Sequence, residues 1–195
     1  MAEKHLWPTE IYAFSNRNID NDKINKIILK KEKTEPGRTL SNMGGWQSQG
    51  DLINEDSFSE IKNFLNECFL SIKENLYREN VRVSLTEGWA NVNKKGNSNA
   101  IHIHPNSHWS CVYYVTKTFK SPIYFVDPRV RAQMFAPYDL LNEKHKYYGN
   151  IGPEQGMPGD AFFFPSWLEH GVFANSTDNP RISISCNYSV LPEIS

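Results

Sequence analysis

The chain has 195 residues, 39% of them apolar and 13% aromatic, which suits one domain with a sizeable core better than two. With 21 basic against 22 acidic residues the net charge is −1, which excludes broad electrostatic binding to nucleic acid or anionic lipid as the main activity but leaves room for a local basic groove. No apolar run approaches the roughly 20 residues of a membrane helix, and Met1-Ala2-Glu3-Lys4-His5 lacks the apolar stretch of a secretory signal, so a cytoplasmic location is expected.

Trp7 to Phe14 is short, aromatic and interrupted by Pro8, and reads as a strand. From Ile19 to Lys33, Ile24, Ile27 and Ile28 share one face of an amphipathic helix that turns basic towards its C-terminal end, where Pro36-Gly37 stops it. Asn42 to Gln49 is Gly-rich and predicts a loop. A second helix follows: Ser57 and Glu60 form an S-x-x-E capping box, and Phe58, Ile61, Leu65, Cys68, Ile72 and Leu76 recur at three- and four-residue steps.

After residue 80 almost everything reads as short strands: Val81–Leu85, Trp89–Asn93, Ala100–His104, Trp109–Thr116, Ile123–Val126, Ala161–Phe164, Gly171–Ala174 and Ile182–Val190. Helices followed by many strands predict an α+β, mainly β chain built on an antiparallel sandwich or jelly roll. The organisation expected is a single domain over 1–195, with a helical support in 1–80 and the β core in 81–191. Arg129 to Pro158 is too long for a hairpin and is expected to be a lid or binding loop. The aromatic N-terminal segment and the Trp46 loop are candidates to cover a sandwich edge or a homodimer contact. Cys68, Cys111 and Cys186 are odd in number, without metal-type spacing, and read as reduced thiols.

Three segments carry chemistry. In Ala100-Ile101-His102-Ile103-His104-Pro105, a strand would send both imidazoles to one face, within reach of a single metal ion. Taken alone, the pattern also fits one surface histidine and one hydrogen-bonded core histidine. In Phe164-Pro165-Ser166-Trp167-Leu168-Glu169-His170, His170 opens a strand, and Glu169 would face away from it. In Arg181-Ile182-Ser183-Ile184-Ser185, Arg181 and the serines share a face; such an arginine meets either an anionic ligand, an internal carboxylate or water. The order His-x-His, distal His, then eleven residues on an Arg-x-Ser strand, is what an iron site in a double-stranded β-helix needs.

At this point the chain resembles the Fe(II)/2-oxoglutarate-dependent oxygenases, and more narrowly a family of them from bacteria and marine phages. The resemblance rests on Trp46-Gln47-Ser48, Trp89-Ala90-Asn91-Val92-Asn93, His102-Ile103-His104-Pro105, Val112-Tyr113-Tyr114-Val115, Asp127-Pro128-Arg129, Phe164 to His170 and Arg181 to Asn187. It implies a cupin-like double-stranded β-helix with two supporting N-terminal helices, and Fe(II), 2-oxoglutarate and O2 as the working set. The implied activity is a dioxygenase, as a hydroxylase, that couples 2-oxoglutarate decarboxylation to oxidation of a substrate C–H bond. The implied site has His102, His104 and His170 on iron, with Arg181, Ser183, Tyr114 and Asn93 on 2-oxoglutarate. Trp89 and Trp167 fall on the substrate side, and the substrate is a small molecule or a protein, with nucleic acid disfavoured by charge. One departure stands out: the superfamily usually places Asp or Glu where this chain has His104. Asp127 is the alternative carboxylate and His108 a spare histidine. Two other readings follow from that departure: a three-His cupin-type dioxygenase that does not use 2-oxoglutarate, and a jelly-roll binding module without catalysis.

Overall fold

The computed structural model describes residue 4, residues 6–129, residue 131 and residues 151–193. Two antiparallel sheets face each other. One runs in the order β1 (Tyr12–Ser15), β9 (Asp160–Pro165), β6 (Trp109–Tyr114), β11 (Arg181–Pro192), β4 (Val81–Asn93), β3 (Trp46–Gln47). The other runs β2 (Asn42–Met43), β5 (Ser98–His102), β10 (His170–Val172), β7 (Ile123–Val126), β8 (Ile151–Glu154). From β4 to β7 and again from β8 to β11 successive strands alternate between the sheets, which gives the double-stranded β-helix. Helices α1 (Asn21–Thr34) and α2 (Ser59–Leu76) pack on the outside of the six-stranded sheet. Among the described residues no helix is long and apolar enough to cross a membrane.

The two-residue period of the strands sorts the chain into two cores. On β11, Ile182, Ile184 and Cys186 face the helices, and Arg181, Ser183 and Ser185 face the other sheet. The helix-side cluster joins these to Ala90, Val92, Cys111, Tyr113 and Phe163 from the sheet and to Ile24, Ile28, Ile61, Leu65, Phe69 and Ile72 from the helices. A smaller cluster between the sheets holds Val112, Tyr114, Ile123, Phe125, Phe162, Phe164, Leu168 and Val172. The six-stranded sheet is thus apolar on its outer face and mixed on its inner one, and the inner polar residues have somewhere to act.

Several expectations are corrected. Ser57 does not cap the second helix: it lies in a 3-10 turn, Asp56–Phe58, and α2 starts at Ser59 without a side-chain cap. A cap contributes about 1 kcal/mol, whereas each of Phe58, Ile61, Leu65 and Phe69, fully buried here, contributes about 2 kcal/mol. Burial decides where the helix begins. Helix α1 does carry a cap, with Asp20 accepting from the Lys23 amide at 3.0 Å. The predicted strands 81–85 and 89–93 are one strand, β4, paired with β11 along its whole length. A register shift at Asn187/Tyr188 relieves the joint, and Gly88 lets Ile53 and Cys186 approach where a Cβ would lie 2.6 and 2.9 Å from them. The Gly-rich loop at 42–49 contains the two-residue strands β2 and β3, one on each sheet. Most of the predicted lid, residue 130 and residues 132–150, lies outside the described residues, while its end forms edge strand β8.

Candidate functional site

Between the sheets lies a cavity, lined on one side by Trp89, Asn91, Arg181, Ser183 and Ser185 and on the other by His102, His170 and Val172. His102 and His170 are directly opposed in the β5–β10 pair. His104 is not on the strand: β5 ends at His102, and the chain continues extended, with the His104 amide donating to the Ser166 carbonyl at 3.0 Å. The turn after β9 therefore takes over from the ladder and keeps the imidazole on the same side as His102. Ile101 and Ile103, between them, point outward and are exposed.

The three imidazoles converge, with one ring nitrogen of each within 4.8 Å of the others. His104 Nε2 and His170 Nε2 are 3.1 Å apart. His170 Nδ1 lies 2.8 Å from the Leu168 carbonyl and His102 Nδ1 lies 2.8 Å from the Ala100 carbonyl. A carbonyl only accepts, so each Nδ1 carries the hydrogen and each Nε2 presents a lone pair. Burial holds the His104 pKa down to about 4 and the His170 pKa to about 3, and lowers that of His102. All three are neutral donors near pH 7. Adjacent ligands about 2.1 Å from an octahedral ion are separated by roughly 3 Å, so the 3.1 Å edge fits a metal. No carboxylate among the described residues joins the cluster. Asp127 is instead paired with Arg129 at 2.6 and 2.9 Å, and His108 Nδ1 accepts from the Val190 amide at 3.1 Å.

At the other end of the cavity Arg181 is buried, 2% exposed. Its Nε donates to the Ser121 carbonyl at 3.0 Å and its Nη1 to Ser183 Oγ at 2.9 Å, but Nη2 has no partner. Burial pushes the pKa of this guanidinium down, and no carboxylate among the described residues is paired with it. Its Cζ lies 5.4 Å over the ring of Tyr114, whose buried hydroxyl is also unpartnered. Ser183 and Tyr114 are opposed in the β11–β6 pair. An isolated buried cation is costly, and two orphan donors side by side specify an acceptor; a carboxylate supplies both the charge and the oxygens. The residues present therefore fit one end of a dicarboxylate.

The family model described as "Putative 2OG-Fe(II) oxygenase" matches residues 87–187, just over half of the chain. The chain belongs to this family. The expected architecture and the working set of Fe(II), 2-oxoglutarate and O2 stand with it. A prolyl-4-hydroxylase from Pseudomonas putida superimposes with a TM-score of 0.64, covering 93% of this chain and 92% of its own at 10% identity. HygX from Streptomyces hygroscopicus, with nickel, 2-oxoglutarate and hygromycin B bound, gives 0.61, covering 93% and 83% at 12% identity. A prolyl hydroxylase in complex with a hypoxia inducible factor peptide fragment, from Trichoplax adhaerens, gives 0.63, covering 92% and 83% at 13% identity. At such identities these likenesses show the fold alone. No curated protein matches the sequence.

Of the sequence-predicted site residues of this oxygenase, His102, His104, His170, Arg181 and Ser183 line the cavity, and Tyr114 lies against Arg181 at its end. Asn93 does not line it: its amide nitrogen donates to Asn99 Oδ1 at 3.1 Å, and Asn91 and Asn99 face the space instead. Trp89 stacks on His104, with centroids 5.6 Å apart and planes at 23°. Sequence reasoning missed Asn187, whose side chain lies close enough to His104 to raise its pKa against the effect of burial, and accepts a hydrogen bond from Ser110 Oγ at 3.0 Å. The signal was present, because Asn187 continues the polar alternation of 181, 183 and 185.

Proposed function

We propose that this oxygenase is a hydroxylase in which His102, His104 and His170 hold Fe(II), while Arg181, Ser183 and Tyr114 hold the distal carboxylate of 2-oxoglutarate. One observation carries the reading: a neutral, metal-ready histidine cluster and an unpaired buried guanidinium occupy the two ends of one cavity. When bound, the iron with 2-oxoglutarate and O2 supplies oxidation of a substrate C–H bond, coupled to release of CO2 and succinate. The protein's part is to orient and to exclude water. Carbonyls 100 and 168 fix two imidazoles in the donor tautomer, Arg181 neutralises the distal carboxylate, and Val112, Ile123, Phe164 and Val172 wall the space with apolar surface.

The substrate side falls to Trp89, Asn91, Asn99 and Ser41, a mixture of one aromatic face and neutral hydrogen-bonding groups. That suits a polar small molecule or a peptide side chain better than a nucleic acid backbone. Structures of the same fold with hygromycin B and with a peptide support the same two classes. Three buried free thiols support a reducing, cytoplasmic setting. We take 1–195 as one domain.

An anaerobic titration of the metal-free protein with Fe(II), then 2-oxoglutarate, tests the assignment through the visible iron-to-ketoacid charge-transfer band. The band should appear in the parent, vanish with His170→Ala and need far more 2-oxoglutarate with Arg181→Ala. Because the cluster lacks a carboxylate, a three-His dioxygenase that dispenses with 2-oxoglutarate is the second reading. Tight Fe(II) binding without a band would select it, and no metal binding at all would sink both.

A further inference from the structure

Tyr114 is held from behind by a glycine. An ideal Cβ on Gly156 would lie 2.0 Å from Tyr114 Cδ2 and 2.3 Å from Cε2, far inside van der Waals contact, so no other residue fits there without moving the ring. Gly156 is itself fixed by Thr118, a fully buried residue that the proposed chemistry does not use. The Gly156 amide donates to Thr118 Oγ1 at 2.7 Å, and the Thr118 amide and hydroxyl both donate to the Gly156 carbonyl, at 3.1 and 3.3 Å. A few residues on, the Gly159 amide donates to the Tyr114 carbonyl at 2.9 Å. The segment is thus tied to the strand that carries Tyr114 at both its backbone and its ring.

On the other side, Arg181 is tied to the Ser121 carbonyl, three residues after Thr118. Ser121 is in turn linked to Thr118, its amide donating to the Thr118 carbonyl at 2.9 Å. The turn from Thr118 to Ser121 therefore positions both orphan donors, Tyr114 through Gly156 and Arg181 through its own carbonyl.

We propose that the Thr118–Gly156 clamp is a positioning device that sets how far the Tyr114 hydroxyl reaches beside Arg181, and thereby selects the chain length of the 2-oxo dicarboxylate. This rests on the proposed binding of a distal carboxylate by Arg181 and Tyr114. With the histidine cluster at one end and a rigid Arg–Tyr pair at the other, the span between the two ends is fixed. A diacid one carbon shorter cannot satisfy both ends at once. Pushing the tyrosine forward shortens the span, penalising the five-carbon acid and sparing the four-carbon one.

The test uses the full-length protein loaded with Fe(II) under anaerobic conditions and follows the charge-transfer band on titration with 2-oxoglutarate, oxaloacetate and 2-oxoadipate. Gly156→Ala should weaken 2-oxoglutarate about tenfold, the effect of one displaced side-chain rotamer, while oxaloacetate is weakened less, so that the preference between them falls. Thr118→Val removes the clamp's hydroxyl and should lower the same preference without adding bulk, and Thr118→Ser should restore it. Under turnover the change should appear in KM for 2-oxoglutarate rather than in kcat. Should Gly156→Ala fail to fold, the Thr118 pair decides. An unchanged preference in Thr118→Val, with the band intact, overturns the clamp alone. No band in the parent with any diacid overturns the underlying carboxylate assignment instead.

Discussion

His104 Nε2 and His170 Nε2 stand 3.1 Å apart although 66 residues separate them in sequence. Without a cation one of the two must donate a proton to the other, since two lone pairs at that distance repel. The site is therefore satisfied by either a shared proton or a metal. A divalent ion that binds the folded protein alone, at about 100 times its Kd, adds about 2.7 kcal/mol of stability. Fe(II), or a redox-inert substitute such as Zn(II) or Ni(II), should raise the thermal midpoint of the chelator-stripped protein. His104→Ala should abolish most of that rise and His104→Asp should keep or enlarge it. A full metal-induced shift in His104→Ala would remove His104 from the ligand set.

Arg181 carries the clearest conflict between stability and function. Its guanidinium is buried with one nitrogen unpartnered and, among the described residues, no counter-ion. Replacing such a charge by an apolar chain of similar length is commonly neutral or stabilising. Arg181→Met should therefore raise the unfolding free energy of the cosubstrate-free protein by about 1 kcal/mol. The same substitution should weaken 2-oxoglutarate by about 3 kcal/mol, or roughly a hundredfold, as for loss of one partner in a buried charge pair. Denaturant melts with and without 2-oxoglutarate measure both. A destabilised variant that still binds 2-oxoglutarate would contradict each half.

What the sequence made legible and what it hid follow from how local each cause is. β11 could be read directly, because Ile182, Ile184 and Cys186 alternate with Arg181, Ser183 and Ser185 and both faces are buried. The three histidines were legible by type and order. That His104 lies beyond the strand was not, since a hydrogen bond to Ser166, 62 positions away, holds it in place. Ser57 and Glu60 carry a sound local signal for a cap, which loses to burial of Phe58. β8 was hidden because Gly152 and Pro153 disguise it, and its edge position is what makes a proline tolerable there. Gly156 had no local signal at all: its partner is the Tyr114 ring, more than forty residues earlier.

The histidine cluster also predicts an acid limb to stability. Burial holds His104 and His170 at about 4 and about 3, against an ordinary value of 6.5. Between those values the unfolded chain binds protons that the folded one refuses, so stability is full above pH 6.5 and falls as the pH drops towards the folded values. The slope approaches about 1.4 kcal/mol per pH unit for each histidine. Metal competes with the same protons, so a saturating ion should move the limb to lower pH. Urea melts of the metal-free protein from pH 8 to pH 4, repeated with His170→Gln, check this. Equal slopes in parent and variant would show that His170 does not contribute.

Asn187 offers a finer probe, because it acts on the metal only through His104. Its side chain acts on the His104 ring, whose pKa it raises against the effect of burial, and accepts from Ser110 Oγ, and Ser110 has a second partner in Ser166 Oγ at 2.8 Å. In Asn187→Leu the serine keeps a partner while the imidazole loses its polar neighbour. Outer partners of metal-bound histidines are each worth about 10- to 100-fold in metal affinity, and Fe(II) binding should weaken by that order while 2-oxoglutarate, titrated at saturating iron, binds as before. Asn187→Asp gives the ring an anionic acceptor and supplies near the iron the negative charge that His104 itself lacks, so it should bind Fe(II) more tightly than the parent. Parallel losses in Asn187→Leu and Asn187→Asp would mean that the amide serves packing rather than the orientation of His104.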